Sequence, residues 1–186
     1  MNRRAALRLA GGALIAGAAG SLFAPGASAS APGEPSALGE PRRVSLFNLH
    51  TGDRFSDAYW RQGDYVPDAM AAIKHVMRDF RSNEVHDIDP RLLDQLHQLN
   101  GLLAAQAPYQ IISGYRSPAT NAMLHANSEG VATHSLHLDG RAIDIRVAGV
   151  DLTHLRDAAL SLRAGGVGYY QASDFVHVDT GRVRHW

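Results

Sequence analysis

Apolar positions along the chain change their spacing several times, and each change predicts an element. Val44-Ser45-Leu46-Phe47-Asn48 alternates as a strand does, and His50-Thr51-Gly52-Asp53 reads as the turn after it. Val66, Ala69, Met70, Ile73, Met77 and Phe80 recur at steps of three and four, which is one helical stripe. Pro67-Asp68 suits the first turn of that helix. Proline needs no amide partner there, and the carboxylate faces the positive end of the helix dipole. Asp89-Pro90 repeats the start signal, and Leu92, Leu96, Leu99 and Leu103 follow on one face, with Asn100-Gly101 as the expected break. Tyr109 to Ile112 predicts a short strand closed by Gly114. Ser117-Pro118 opens a helix to about His125, and Arg141 to Val147 alternates again. Asp151 to Ala164 is amphipathic, with Leu152, Leu155, Ala159 and Leu162 inward and Gly165-Gly166 as the stop. Val167 to Tyr170 and Phe175 to Val178 then predict a hairpin around Gln171 to Asp174. No internal repeat is visible. Helices and strands do not alternate regularly, so the expected class is α+β rather than a doubly wound parallel sheet.

Residues ahead of Val44 follow no such pattern. Asn2-Arg3-Arg4 precedes an apolar run from Leu9 to Ala24, and Ala27-Ser28-Ala29 gives an Ala-x-Ala cleavage pattern. Residues 1–29 are therefore expected to be an export signal. The paired arginines favour the twin-arginine type over a general secretory signal. The run is shorter than the roughly 20 residues of a spanning helix, so no stable membrane anchor is expected. Residues 30–43, rich in Pro and Gly, read as a flexible tether, and the folded domain as 44–186.

Composition narrows the chemistry. The chain of 186 residues fits one domain and has 18 basic and 18 acidic residues. Removing Arg3, Arg4 and Arg8 with the signal leaves about −3, so no nucleic-acid partner is expected. There is no cysteine, which excludes disulfides, thiolate zinc sites and thiol catalysis. Ten histidines remain, and with Asp and Glu they are the only strong side-chain metal ligands available.

Three segments concentrate candidate groups. In Ser135-Leu136-His137-Leu138-Asp139-Gly140-Arg141-Ala142-Ile143-Asp144, the Asp139-Gly140 pair favours a tight reversal that would set His137 opposite Asp144. Taken alone, that spacing carries little. In Asp174-Phe175-Val176-His177-Val178-Asp179, His177 interrupts an apolar strand pattern between two carboxylates. A lone strand histidine is more often structural. In Ser113-Gly114-Tyr115-Arg116-Ser117-Pro118, Arg116 lies between a strand and a helix, where it could aim a fixed cation at a carboxylate or a polarised carbonyl, or pair with a surface acid.

Together the segments resemble a known group. Ser-x-His-x-x-Gly-x-Ala-x-Asp, matched by Ser135, His137, Gly140, Ala142 and Asp144, resembles the zinc signature of the D-Ala-D-Ala metallopeptidase superfamily. That superfamily includes D,D-carboxypeptidases, murein endopeptidases and the hedgehog metal-site fold. Leu46-Phe47-Asn48-Leu49-His50-Thr51-Gly52 and Phe175-Val176-His177-Val178-Asp179-Thr180-Gly181 are similar to its murein endopeptidase K branch, and the resemblance spans about residues 44–186.

The resemblance implies a central antiparallel sheet flanked by helices. It also implies Zn2+ held by His137, Asp144 and His177, with Arg116 polarising the scissile carbonyl. Asp174 falls at the family's general-base position, three residues before His177. Strict alternation would turn Asp174 away from His177, so the preceding turn must curl it back. Asp179, on the same face as His177, is the rival base or an outer partner of that ligand. The implied activity is hydrolysis of peptidoglycan cross-links in the periplasm, acting on stem peptides. A D,D-carboxypeptidase and a non-catalytic zinc module are the other readings, and oligomeric state is left open.

Overall fold

The computed structural model describes residues 39–127 and 132–186. The expected export signal and residues 30–38 of the expected tether lie outside the described residues. The folded unit begins earlier than Val44, because strand β1 runs Arg42–Asn48. Arg42 earns its place by pairing with Trp60 on the neighbouring strand, lying 4.4 Å over that ring and reaching Asp94 at 2.8 Å.

Among the described residues one sheet holds β1 with β2 (Arg54–Arg61), β3 (Asp64–Tyr65), β4 (Tyr109–Ser113), β5 (Ala142–Val147), β6 (Gly166–Tyr170), β7 (Phe175–Asp179) and β8 (Arg184–His185). Their order is β3-β2-β1-β4-β5-β7-β6-β8. The fold is α+β as expected, but the sheet is mixed rather than wholly antiparallel, since β1–β4 and β6–β8 pair in parallel. Both exceptions follow from the connections. Helices α1 (Pro67–Val76) and α2 (Pro90–Leu103) return the chain across the sheet between β1 and β4, and such a long crossover permits parallel neighbours. After the β6–β7 hairpin the chain reverses once more, which sets β8 parallel to β6 on its free edge.

Burial decides most boundaries. Helix α2 passes through Asn100-Gly101 because Leu99 and Leu103 are both buried. Each buried leucine contributes about 1.5–3 kcal/mol, against roughly 1 kcal/mol for an internal glycine. The helix stops instead at Ala104, in a left-handed conformation. Strand β2 has no alternating signal because three of its apolar residues, Ala58, Tyr59 and Trp60, are consecutive. Helices α3 (Pro118–Asn127) and α4 (Leu152–Leu162) form near their predicted bounds. Ile143, Ile145, Val176 and Val178 turn one face of β5 and β7 into the core with Leu96 and Leu155. Alternation sends Asp144, Arg146, Phe175, His177 and Asp179 to the opposite face.

Candidate metal centre

Strands β5 and β7 pair so that Asp144 lies directly across from His177 on that opposite face. His177 Nδ1 is 2.8 Å from Asp144 Oδ1. His137 closes a triangle, with Nε2 3.2 Å from His177 Nδ1 and 3.3 Å from Asp144 Oδ1. Ligands at 2.0–2.1 Å around a tetrahedral ion are spaced by roughly 3.3 Å, so the triangle has the dimensions of three corners of such a site. No fourth His, Asp or Glu joins them among the described residues.

The reversal expected at Asp139-Gly140 is what delivers His137. Residues Leu136–Asp139 form a short 3-10 turn, started by the Ser135 hydroxyl accepting from the His137 amide. Gly140 closes it with φ 62°, and a Cβ there would meet Asp87 O at 1.9 Å, so only glycine fits. The chain then enters β5 and reaches Asp144.

Outer partners aim both imidazoles. His137 Nδ1 lies 2.6 Å from the Gly114 carbonyl oxygen, an acceptor, so Nδ1 carries the proton and the Nε2 lone pair points into the triangle. His177 Nε2 donates to Asp179 Oδ2 at 3.1 Å, which turns its Nδ1 inward. Asp179 is fully buried and is itself fixed by the Gly166 and Gly181 amides and by two contacts from Arg184. Burial pushes His137 below the usual imidazole value. In His177 burial also disfavours the charge, but hydrogen bonds to Asp144 and Asp179 outweigh it and raise the group to about 9. Burial opposes ionisation of Asp144 too, yet the two imidazoles hold it well below the usual carboxylate range. At neutral pH the cluster without metal therefore keeps a proton on His177, the proton that a cation would displace.

Arg116 joins the cluster from the loop after β4. Its Nη2 is 3.6 Å from Asp144 Oδ2, and the loop is pinned by Arg116 N donating to His137 O and Ser117 N donating to the buried Asp79. The remaining bonds of the guanidinium are long, 3.3 Å to Ser113 Oγ and 3.4 Å to Asn121 Oδ1, and its buried Nε has no partner. Burial lowers its pKa, and a guanidinium stays charged regardless. It is a desolvated cation with unused donors beside the ligand triangle.

The two candidate bases fall in different places. Asp179 is behind the His177 ring, on the nitrogen that faces away from the triangle. Asp174 follows the 3-10 turn Gln171–Ser173 in a left-handed conformation, φ 54°. That reversal brings it to the face carrying Asp144, as the odd spacing required. Its carboxylate meets Arg146 at 2.6 Å rather than the cluster, and the side chain is 63% exposed.

A cleft of about 240 Å³ opens over the cluster, walled by His134, Tyr170, Phe175 and Trp186. Trp186 is the element that sequence reasoning missed. Its ring centroid is 5.3 Å from that of His177, and its Nε1 donates to Tyr170 Oη. Gly168 gave the signal in retrospect, since a Cβ there would meet the indole at 2.7 Å. His134 lines the cleft, and His185 does not.

Comparisons with known proteins fit this geometry. Residues 36–186 match the family described as peptidoglycan L,D-endopeptidase MepK. The chain is 46% identical over 185 residues to the peptidoglycan L,D-endopeptidase MepK of Escherichia coli strain K12, covering 100% of this chain and 97% of that protein. It is 43% identical over 148 residues to the probable peptidoglycan L,D-endopeptidase MepK of Haemophilus influenzae, covering 79% of this chain and 80% of that one. No solved structure matches it. A family match over most of the length, joined to near-complete alignment with a curated relative, places the chain in the peptidoglycan L,D-endopeptidase MepK family.

Proposed function

We propose that this protein is a zinc-dependent peptidoglycan endopeptidase that hydrolyses an L,D amide within a peptide cross-link. The observation that carries the reading is the triangle of His137, Asp144 and His177, whose lone pairs are aimed by Gly114 O and Asp179 beneath an open cleft. The L,D-endopeptidase activity for which the relatives are named supports it.

In this reading the three residues hold the ion. A zinc ion bound there would supply Lewis-acid polarisation and would lower the pKa of bound water to about 7. Arg116 donates its unused N–H groups to the carbonyl oxygen of the substrate as negative charge develops on it. Asp174 rotates away from Arg146, takes a proton from the attacking water and returns it to the leaving amine. Asp179 keeps His177 in the ligating tautomer. The substrate places the protein in the cell envelope. With the signal-like residues 1–29, it favours the periplasm, reached by twin-arginine export. No helix among the described residues is long and apolar enough to cross a membrane.

Purified sacculi test the reading. Incubation with the protein should convert cross-linked dimers joined through two diaminopimelate residues into monomers. A chelator should stop the reaction and added zinc restore it. Loss of terminal D-Ala with dimers intact would replace the endopeptidase with a D,D-carboxypeptidase. Unchanged sacculi would leave a non-catalytic zinc module.

A further inference from the structure

Beyond Asp144, the same face of β5 carries Arg146, roughly 7 Å further along the strand. Its Nε donates to Gln110 Oε1 on β4 at 2.8 Å, which fixes the plane of the guanidinium. Nη1 donates to Asp174 Oδ2, and Nη2 makes no hydrogen bond among the described residues. The pair with Asp174 is easily exchanged. Both side chains are exposed, at 38% and 63%, and exposed ion pairs add little to stability. Asp174 also holds a left-handed backbone that non-glycine residues adopt only at a cost. Arg184, which lines the cleft, is different: both of its Nη atoms are spent on the buried Asp179.

We propose that Arg146 is a carboxylate subsite for the leaving-side residue of the substrate, and that this carboxylate displaces Asp174 from the guanidinium as the substrate binds. The inference rests on the cross-link reading above. The nitrogen of an L,D amide is attached to a D-centre carbon. In a cross-link between two diaminopimelate residues that carbon also carries a free carboxylate, two bonds from the leaving nitrogen. With the scissile carbonyl at Arg116 beside Asp144, one step along the peptide brings that carboxylate within reach of Arg146. The Nη1–Nη2 edge can then receive both oxygens, the arrangement for which arginine is suited and lysine is not. The exchange also releases the Asp174 carboxyl at the moment it is needed.

The test uses two synthetic cross-linked dimers, identical except that the leaving-side D-centre bears a carboxylate in one and a carboxamide in the other. The zinc-loaded wild-type protein should prefer the carboxylate by roughly ten- to hundredfold in kcat/KM, the scale of a hydrogen-bonded charge pair. Arg146→Gln should bring the ratio close to one, and Arg146→Lys should keep part of it. A merely structural role would lower both rates together and leave the ratio as in the wild type, and that result overturns the inference. A wild-type ratio near one does the same while leaving the endopeptidase reading intact. Failure of the wild type to cleave either dimer overturns that reading, and the subsite with it.

Discussion

His177 and Asp174 are three positions apart, yet the structure treats them in opposite ways. His177 is on a central strand, is buried, and is gripped at both ring nitrogens. Asp174 is on a turn, is mostly exposed, and has one exchangeable partner. The difference suits what the proposed function asks of each group. A metal ligand works by not moving, and its carboxylate and imidazole neighbours remove every other orientation. A group that must collect a proton and deliver it elsewhere needs freedom, and a turn provides it.

Breaking the rigid side should have the largest effect. His137→Ala leaves two ligands and is expected to abolish both zinc binding and hydrolysis. Metal content after dialysis, together with dimer cleavage, checks this, and full activity in metal-stripped variant protein would refute the ligand assignment. Breaking the mobile side should separate the two properties. Asp174→Asn should retain zinc at the wild-type level while losing about 10²- to 10⁴-fold in turnover, the usual worth of a general base. Near-normal turnover with full metal content would remove Asp174 from the reaction.

The third prediction sharpens the comparison through pH. His177 rises from an unfolded value near 6.5 to about 9 in the fold. Its protonated form therefore stabilises the metal-free protein fully below about pH 6.5, and that contribution disappears as pH climbs through 9. Up to about 3 kcal/mol is at stake. Thermal melts of metal-free protein should fall across that window, and zinc-loaded protein should resist the fall because the ion has replaced the proton. Parallel melting curves for the two forms would place the proton elsewhere.

The sequence made the cluster legible for a local reason. The Asp139-Gly140 reversal and the period of strand β7 are encoded within ten residues each, so His137, Asp144 and His177 could be placed from spacing together with family resemblance. What stayed hidden depends on distant partners. The role of Asp179 needs Arg184 and the Gly166 amide, and neither is adjacent to it in sequence. The position of Asp174 needs Arg146, from a strand 28 residues earlier. Strand β8 is two residues long and has no periodicity to read, yet it delivers Trp186 to the cleft. The mixed sheet was likewise invisible, because strand direction is set by crossovers rather than by any strand's own residues.

Gly140 has a reach beyond its own turn. Its carbonyl accepts the amide of Asp89, and the Asp89 side chain caps α2 and accepts the hydroxyl of Thr180, next to Asp179. The helix that supplies much of the oily interior is thus moored to the turn presenting one imidazole and to the segment steadying the other. Remodelling the foot of that helix would be felt at the His137–Asp144–His177 cluster, so interior and candidate site must diversify together.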